Sequence, residues 1–444
     1  MKIGVISLGC SKNRVDTEVM LGLLKEEGYE FVQDMQSADI MLINTCTFID
    51  EAKEEAINTV LEAEQQKRFR HLKGIIVTGC MPELYKEELK RQLPRVDAFL
   101  GVAAYKDILE AVREVSEGRK FTKFARRELE EEFSRRVITT QKPTAYVKIA
   151  EGCGNHCSYC VIPSVRGPYQ SREMQNILDE IAGLVKEGYS EIILVAQDTT
   201  NYGTDIYGSP SLPKLLESAA QTDGVKWLRV MYFYPDAITD ELLDVMLKHE
   251  NIIKYIDMPV QHTADDILKA MNRRYRLAQV EETVDRIRKA SPEFAIRSTV
   301  IVGFPGSSGV STTGMSKKLK ELKFDHLGVF AYSPQEGTPA AMMPGQIDEA
   351  EKEFRKDAIM NVQATISHER NRERIGKTAE VLVEGKDGES GAYYGRAAFQ
   401  APEVDGITFI ETAEPLEIGK YYKAKIARAY HYDCVAELIP ESGE

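Results

Sequence analysis

No stretch of this 444-residue sequence is apolar enough, for long enough, to span a membrane. The opening Met1-Lys-Ile-Gly-Val-Ile-Ser-Leu8 lacks the charged start, long apolar core and cleavage site of a secretory signal, and it reads as a first β-strand. Positive charge is in deficit: 57 Lys and Arg stand against 70 Asp and Glu, a formal net charge of −13. That balance argues against a generic nucleic-acid binder, while leaving room for a local basic surface or a basic protein partner. Cysteine is scarce, at seven residues, and nothing suggests an oxidising compartment that would pair them. A cytoplasmic protein is the expectation. What the chain does have is enough apolar residue, 43%, for real cores, and the length of two or three domains.

Three of the cysteines fall within eight residues, Cys153-Gly-Asn-His-Cys157-Ser-Tyr-Cys160, spaced C-x₃-C-x₂-C with no fourth nearby. A structural zinc site needs four ligands, and His156, the one extra candidate, sits beside Cys157, too close to complete a tetrahedron comfortably. A disulfide with a spare thiol suits an oxidising compartment better than this one. An iron–sulfur cluster held by three thiolates keeps one iron without a protein ligand, and an open iron can hold a small molecule. The motif therefore points to a catalytic cluster.

Upstream, from Lys2 to about Gly118, short apolar runs alternate with helical spacing. Strands are expected at Lys2–Gly9, Ala38–Thr45, Gly74–Gly79 and Val96–Gly101, with helices over Val15–Lys25, Asp50–Gln66, Pro82–Gln92 and Lys106–Glu117. Such alternation implies a parallel sheet covered by helices. Cys10, Cys46 and Cys80 each follow one of these strands, where open parallel sheets bind ligands. Three unrelated buried thiols are the alternative, since free cysteine packs as a small hydrophobe. Convergence on one sheet edge favours a second three-thiolate cluster, with Gly9 and Gly79 allowing tight turns beside it.

The C-x₃-C-x₂-C spacing, with Tyr159 before the last Cys, resembles the radical SAM enzymes. In that family S-adenosylmethionine (SAM) chelates the free iron, and an electron from the cluster cleaves it to methionine and a 5′-deoxyadenosyl radical. Two clusters narrow the likeness to the radical SAM methylthiotransferase family, and it runs nearly end to end. Residues 7–18, Ser-Leu-Gly-Cys-Ser-Lys-Asn-Arg-Val-Asp-Thr-Glu, and 43–52, Ile-Asn-Thr-Cys-Thr-Phe-Ile-Asp-Glu-Ala, are similar to the branch that modifies an aspartate of the twelfth small-subunit ribosomal protein. The branch that modifies tRNA typically differs after its first two cysteines. The resemblance implies two 4Fe-4S clusters, on Cys10, Cys46, Cys80 and on Cys153, Cys157, Cys160, together with SAM, a ribosomal protein substrate and an electron donor protein.

From about Thr144, six strand candidates alternate with helices: Tyr146–Gly152, Glu191–Asp198, Trp227–Phe233, Tyr255–Val260, Ala295–Gly303 and His326–Ser333. They suggest a partial (β/α)6 barrel with the cluster loop after strand one, at the catalytic rim. Gln197 and Asp198, Tyr234 and Pro235, and Gln261 and His262 end strands two, three and four. The resemblance implies SAM or substrate contacts there: Tyr159 beside the adenine, Gln197 and Gln261 at the rim, and Arg297 toward the SAM carboxylate. His262 is given no proton-transfer role, although Met-Pro-Val-Gln-His (258–262) again resembles the ribosomal branch. Val302-Gly-Phe-Pro-Gly306 resembles the family's turn near the methionine moiety. The next ten residues, 307–316, depart from the family, with two glycines, no carboxylate and weak helical propensity. Gly154 and Pro168-Tyr-Gln are smaller departures.

Arg126–Arg136 is dense in both signs and reads as a solvated connector. After a helical segment around Asp348–Arg374, five short strands alternate as in a small antiparallel barrel, resembling a TRAM domain, a module associated with RNA binding. From Thr378 to Glu444 there are six Lys and Arg against thirteen Asp and Glu, a net of −7. A phosphate-tracking domain should carry a basic face, so the acidic barrel suits a basic protein better than tRNA. Arg370, Arg372, Arg374 and Lys377 read as a solvated helix end, and Cys434 as a packing thiol. The expected division is 1–122 for the α/β domain, 123–143 for the connector, 144–375 for the barrel and 376–444 for the TRAM-like module.

Overall fold

The structure, a computed structural model, describes residues 1–47, 49–69, 72–124, 136–307 and 312–440. Its first sheet has six parallel strands: β1 (Lys2–Ser7), β2 (Glu30–Val32), β3 (Ile40–Thr45), β4 (Gly74–Gly79), β5 (Ala98–Leu100) and β6 (Phe121–Lys123). Their order is β2-β1-β3-β4-β5-β6. The two three-residue edge strands β2 and β6 escape the sequence reading because they are too short to show alternation. β3 and β4 are buried along their whole length, as a parallel sheet covered on both faces requires. Four helices supply the cover: α1 (Ser11–Glu26), α2 (Asp50–Phe69), α3 (Cys80–Gln92) and α4 (Ile108–Ser116). The chain runs from β1 to β2 on one side and then to β3 on the other. That reversal opens a crevice between the ends of β1 and β3.

The central domain carries six parallel strands in chain order, interrupted by a two-residue ribbon. They are β7 (Thr144–Lys148), β10 (Glu191–Val195), β11 (Trp227–Val230), β12 (Tyr255–Asp257), β13 (Ala295–Val302) and β14 (His326–Ala331). The ribbon pairs β8 (Ala150–Glu151) with β9 (Gln170–Ser171). β7, β10 and β11 form one half, β12, β13 and β14 the other, and a parallel bridge from Leu228 to Ile252 joins them. β7 and β14 stay unpaired with each other, so the barrel is open on one side. α1 packs there: Val15 and Val19 share a core with the inward-facing Tyr146, Ile193 and Met231.

Five strands close the C-terminal barrel in the order β15 (Thr378–Lys386), β16 (Tyr393–Ala397), β17 (Thr408–Glu411), β19 (Cys434–Leu438) and β18 (Tyr421–Ala429). Cys434 is fully buried in its core, as a packing thiol should be. This module docks on the first residues of the central strands. Arg396 pairs with the buried Glu191 at 2.6 Å, and the Trp227 indole donates to Glu380 at 2.9 Å. No helix among the described residues is long and apolar enough to cross a membrane.

Three expectations need correction. Residues 125–135 of the connector lie outside the described residues, but Arg136 is not solvated. It is buried and pairs with Glu18 and Glu180, each at 2.9 Å, because those carboxylates sit on helices packed either side of it. The cations at the end of the long helix Glu349–Arg372 divide: Arg372 and Lys377 are exposed, whereas Arg370 and Arg374 both close on the buried Asp325. Within the atypical 307–316 stretch, residues 308–311 lie outside the described residues. A helix nevertheless runs from Thr312 to Leu322, since Met315, Leu319 and Leu322 recur at helical spacing and bury one face.

Candidate active site

Cys10 caps α1 directly after β1, Cys46 follows the end of β3, and Cys80 opens α3 after β4. Because β1, β3 and β4 are adjacent and parallel, their ends reach one edge together. Two glycines make the approach possible. A Cβ on Gly9 (φ +100°) would lie 2.7 Å from the Cys46 Cβ, and one on Gly79 (φ +98°) would lie 2.2 Å from Asn44 Oδ1. Asn13, in the first turn of α1, donates from Nδ2 to the carbonyls of Leu8 (3.2 Å) and Thr45 (3.0 Å), and the Cys80 thiol reaches its Oδ1 at 3.7 Å. Asn44 donates in turn to the Asn13 carbonyl at 2.9 Å. One amide thus ties the loops of all three cysteines.

The fields at these thiols differ. Burial pushes Cys10 up, but Lys12, Arg166 and the N–H groups of Asn13 and Lys12 outweigh it and leave the thiol below its ordinary pKa. Burial wins at Cys80 and pushes it up to about 12, against Arg166 and with the negative fields of Cys46 and Cys10 adding to it. Cys80 therefore senses both of the other sulfurs. Lys12 itself is buried with its ammonium 3.6 Å from the Tyr232 ring centroid.

In the second trio each sulfur accepts one N–H at 3.4 Å: Cys153 from Asn155, Cys160 from Ile162, and Cys157 from the Arg273 guanidinium. The loop is pinned from outside as well. Ser158 bonds the carbonyls of Met271 and Ala270 through its N–H (3.0 Å) and hydroxyl (2.7 Å), and Asn272 donates to the His156 carbonyl at 2.6 Å. Arg273 is held between the rings of Tyr234 and Tyr275, 4.2 and 5.0 Å from their centroids, and also donates to the Pro259 carbonyl. Burial raises the Cys153 thiol and pushes Cys160 up to about 12. Thiols like these give up their protons on meeting a metal. Among the described residues no three His, Cys, Asp or Glu close around one point as a single ion requires. A cubane sets each ligand on a different iron and spaces them more widely.

Between the trios lies a buried ionic quartet. Arg166 Nη1 meets Glu151 at 2.9 Å and Asp16 at 3.1 Å, and Lys148 bonds the same two carboxylates. Arg166 Nη2 turns to Asn13 Oδ1 and stands 3.8 Å from Cys80 Sγ. A cavity of about 270 Å³ opens inside the barrel beside Cys10, bounded by Tyr146, Tyr232 and the loop residues Pro402 and Glu403.

The other expected residues are placed unevenly. Tyr159 packs against the apolar cluster that contains Ile267, Met271, Ile301, Phe304, Tyr332 and Ala340, which includes part of the 302–306 turn. Gln197 faces the loop too, donating to Glu151 Oε1 at 3.0 Å. Its Oε1 is buried without a partner, a polar atom aimed at the rim. Gln261, with φ +68°, is bonded through its backbone to Thr299 and Ile301 at the end of the β12–β13 ladder. Asp198 takes the Asn155 amide at 2.8 Å, and Tyr234 and Pro235 are buried near Arg273 and Thr283. His262 is buried, and burial lowers it to about 4, so it is neutral and accepts from the Ala264 N–H.

Arg297 is a correction. It lies near the start of β13, at the end away from the rim, and pairs with Asp257 at 3.3 Å and Asp405 at 3.4 Å. Two buried carboxylates already neutralise it, so it joins the barrel to the C-terminal module and does not face a SAM carboxylate. Arg166, Arg273, Asn13 and Asp16 were missed. Asn13 and Asp16 lie within the 7–18 run that resembles the family, as polar residues on the buried face of the helix that Cys10 caps, but nothing local gives them a role. The two arginines carried no signal.

Comparisons with known proteins agree with this layout. Residues 2–101 match the uncharacterized protein family UPF0004, residues 147–312 the radical SAM superfamily, and residues 375–439 the TRAM domain. The chain is 44% identical over 98% of its length to the ribosomal protein uS12 methylthiotransferase RimO of Thermoanaerobacter sp. (strain X514), covering 99% of that protein. The RimO proteins of Clostridioides difficile (strain 630) and Desulforamulus reducens are 42% and 44% identical over 99% and 98% of this chain and 99% of theirs. Among solved structures, the radical SAM methyltransferase TsrM from Kitasatospora setae, with cobalamin and a [4Fe-4S] cluster bound, has a TM-score of 0.55 over 77% of each chain. At 14% identity it speaks to the fold alone. With relatives this similar along its whole length, the chain belongs to the RimO family of radical SAM methylthiotransferases.

Proposed function

We propose that this enzyme attaches a methylthio group to the β-carbon of an aspartate in the small-subunit ribosomal protein uS12. Cys153, Cys157 and Cys160 would hold one 4Fe-4S cluster and Cys10, Cys46 and Cys80 a second, with SAM at the first. Bound there, these groups would supply the electron, the radical and the sulfur carrier that an unactivated carbon demands, which no acid–base side chain provides at neutral pH.

The observation that carries the reading is a cysteine trio at the strand ends of each of two parallel sheets, with Arg166 reaching Cys80 on one side and Glu151, two residues before Cys153, on the other. The chain's own residues do the arranging. Asn13 holds the three loops of one trio together, while Arg273, Asn155 and Ile162 donate to the sulfurs of the other. Tyr159, in its apolar nest, is suited to an adenine, and Gln197 and Gln261 sit at the rim where SAM would lie. The cavity beside Cys10 supports access of a small group to the second cluster. The acidic C-terminal module supports a basic protein partner over tRNA. A cytoplasmic location and a separate electron donor protein complete the reading.

Incubating anaerobically reconstituted enzyme with uS12 and, separately, with tRNA decides the substrate. A methylthio mass increment on uS12 is expected. Modified tRNA with untouched uS12 would reverse the assignment. Release of no 5′-deoxyadenosine from SAM by reduced protein would favour a non-catalytic two-cluster carrier.

A further inference from the structure

We infer that Arg166 positions and electrically biases the second cluster, the one on Cys10, Cys46 and Cys80, although its own chain segment belongs to the first. The inference rests on the two-cluster reading above. Arg166 ends the short helix Ile162–Arg166 that follows Cys160, so its backbone moves with the cysteine loop of the central barrel. The next residue, Gly167, accepts the Cys153 N–H at 3.2 Å. The Arg166 side chain points the other way, out of the barrel and into the α/β domain, where it meets Asp16, Asn13 and Cys80.

The geometry leaves that side chain little freedom. Arg166 is 2% exposed, and Nη1 is clamped by Glu151 (2.9 Å) and Asp16 (3.1 Å). A planar guanidinium gripped on one edge has its other edge aimed, and here that edge faces Asn13 Oδ1 and Cys80 Sγ. Asn13 is the residue that ties the three cysteine loops together, so Arg166 reaches both a sulfur and the frame that holds the sulfurs.

Charge gives the direction of the effect. Lys148, Arg166, Asp16 and Glu151 are all buried and sum to zero. Removing Arg166 leaves one net negative charge beside Cys80 and takes away a charged donor to its sulfur. Both changes disfavour adding an electron, and hydrogen bonds to the sulfurs and local charge are what set cluster potentials. Arg273 plays the matching part for Cys157, but its other contacts are Tyr234, Tyr275 and the Pro259 carbonyl, all within the barrel. Arg166 instead leaves its own cysteine loop for the other trio.

The test is a redox titration of full-length reconstituted protein, followed by electron paramagnetic resonance, in two backgrounds. In the first, Cys153, Cys157 and Cys160 are replaced by Ala. Arg166→Gln is expected there to weaken reduction about tenfold or more, roughly 59 mV for one electron. Arg166→Lys, which keeps the charge but not the fork, should move the potential the same way by less than half as much. In the second background, with Cys10, Cys46 and Cys80 replaced by Ala, Arg166→Gln should leave the potential in place while Arg273→Gln lowers it. Equal shifts in both backgrounds, or none in the first, overturn the inference. Should Arg166→Gln bind no iron, the lysine variant decides alone, and an unshifted potential there overturns it. Absence of iron from the first background before Arg166 is touched would refute the two-cluster reading instead.

Discussion

The two cysteine trios of this enzyme present the same three ligands and are built in opposite ways. Cys153, Cys157 and Cys160 lie on one loop, where eight consecutive residues and a few local N–H donors bring the sulfurs together. Cys10, Cys46 and Cys80 meet only because β1, β3 and β4 are neighbours in one parallel sheet. The contiguous trio is cheap in chain entropy, since short loops close at little cost. The assembled trio depends on the whole α/β domain being folded, on two glycines with positive φ, and on the buried amide of Asn13. What differs is how far a disturbance elsewhere can reach the three sulfurs.

The largest test of that contrast removes one trio at a time. Replacing Cys10, Cys46 and Cys80 by Ala should abolish methylthiolation and about halve the iron per chain, while SAM is still cleaved. Replacing the other three should abolish both reactions. Product mass spectrometry, iron analysis and a 5′-deoxyadenosine assay read the outcome, and loss of SAM cleavage in the first variant would merge the roles assigned to the trios.

Gly79→Ala comes next. Its Cβ would sit 2.2 Å from Asn44 Oδ1 and 2.5 Å from the Thr45 carbonyl, with φ at +98°. The strain should cost about 2–4 kcal/mol in urea unfolding and selectively empty the assembled trio of iron. Retention of full iron would mean that the sheet edge yields more than its packing suggests.

Acid tests the docking of the C-terminal module on the starts of the barrel strands, the end away from the cysteines. Burial alone would raise Glu191, but Arg396, then Arg229 and Thr144, hold it down to about 2. A carboxylate lowered on folding stabilises the native state fully above its ordinary range, near pH 4.5, and the gain fades as pH falls toward 2. Glu191→Gln should therefore remove about 3 kcal/mol at neutral pH and flatten stability between about pH 4.5 and 2. An unchanged acid limb in the variant would show that other carboxylates govern that range.

The smallest effect is expected in the contiguous loop. Gly154 is exposed, and a Cβ there meets only Tyr169 Cβ, at 3.9 Å. Gly154→Asp should change stability by less than about 0.5 kcal/mol and leave the iron content unaltered. A larger loss would mean that the local trio is less self-sufficient than its spacing implies.

Legibility in the sequence followed the same division. Alternating apolar runs located β1, β3, β4 and the six barrel strands, because strands buried on both faces leave dense Val, Ile and Leu signals. Edge strands β2 and β6 left none. The six cysteines could be named from motif spacing and strand ends alone. Their partners could not. Arg166 and Arg273 look like any surface arginine until the chain folds around them, and Arg297 and Arg370 were misread for the same reason. A charged side chain reveals burial only through its counter-charges, and those lie far away in sequence: Asp16 for Arg166, Asp405 for Arg297, Asp325 for Arg370.

By itself the sequence determined which residues carry thiols, which strands precede them and which family the chain resembles. Those properties are written in residue type and short-range period, so they survive without coordinates. Tertiary structure alone decided that one guanidinium, rooted beside Cys160, ends 3.8 Å from the sulfur of Cys80. Bringing two charged groups out of water and together is favourable only inside a finished core, and no local pattern of residues can announce which pair that will be.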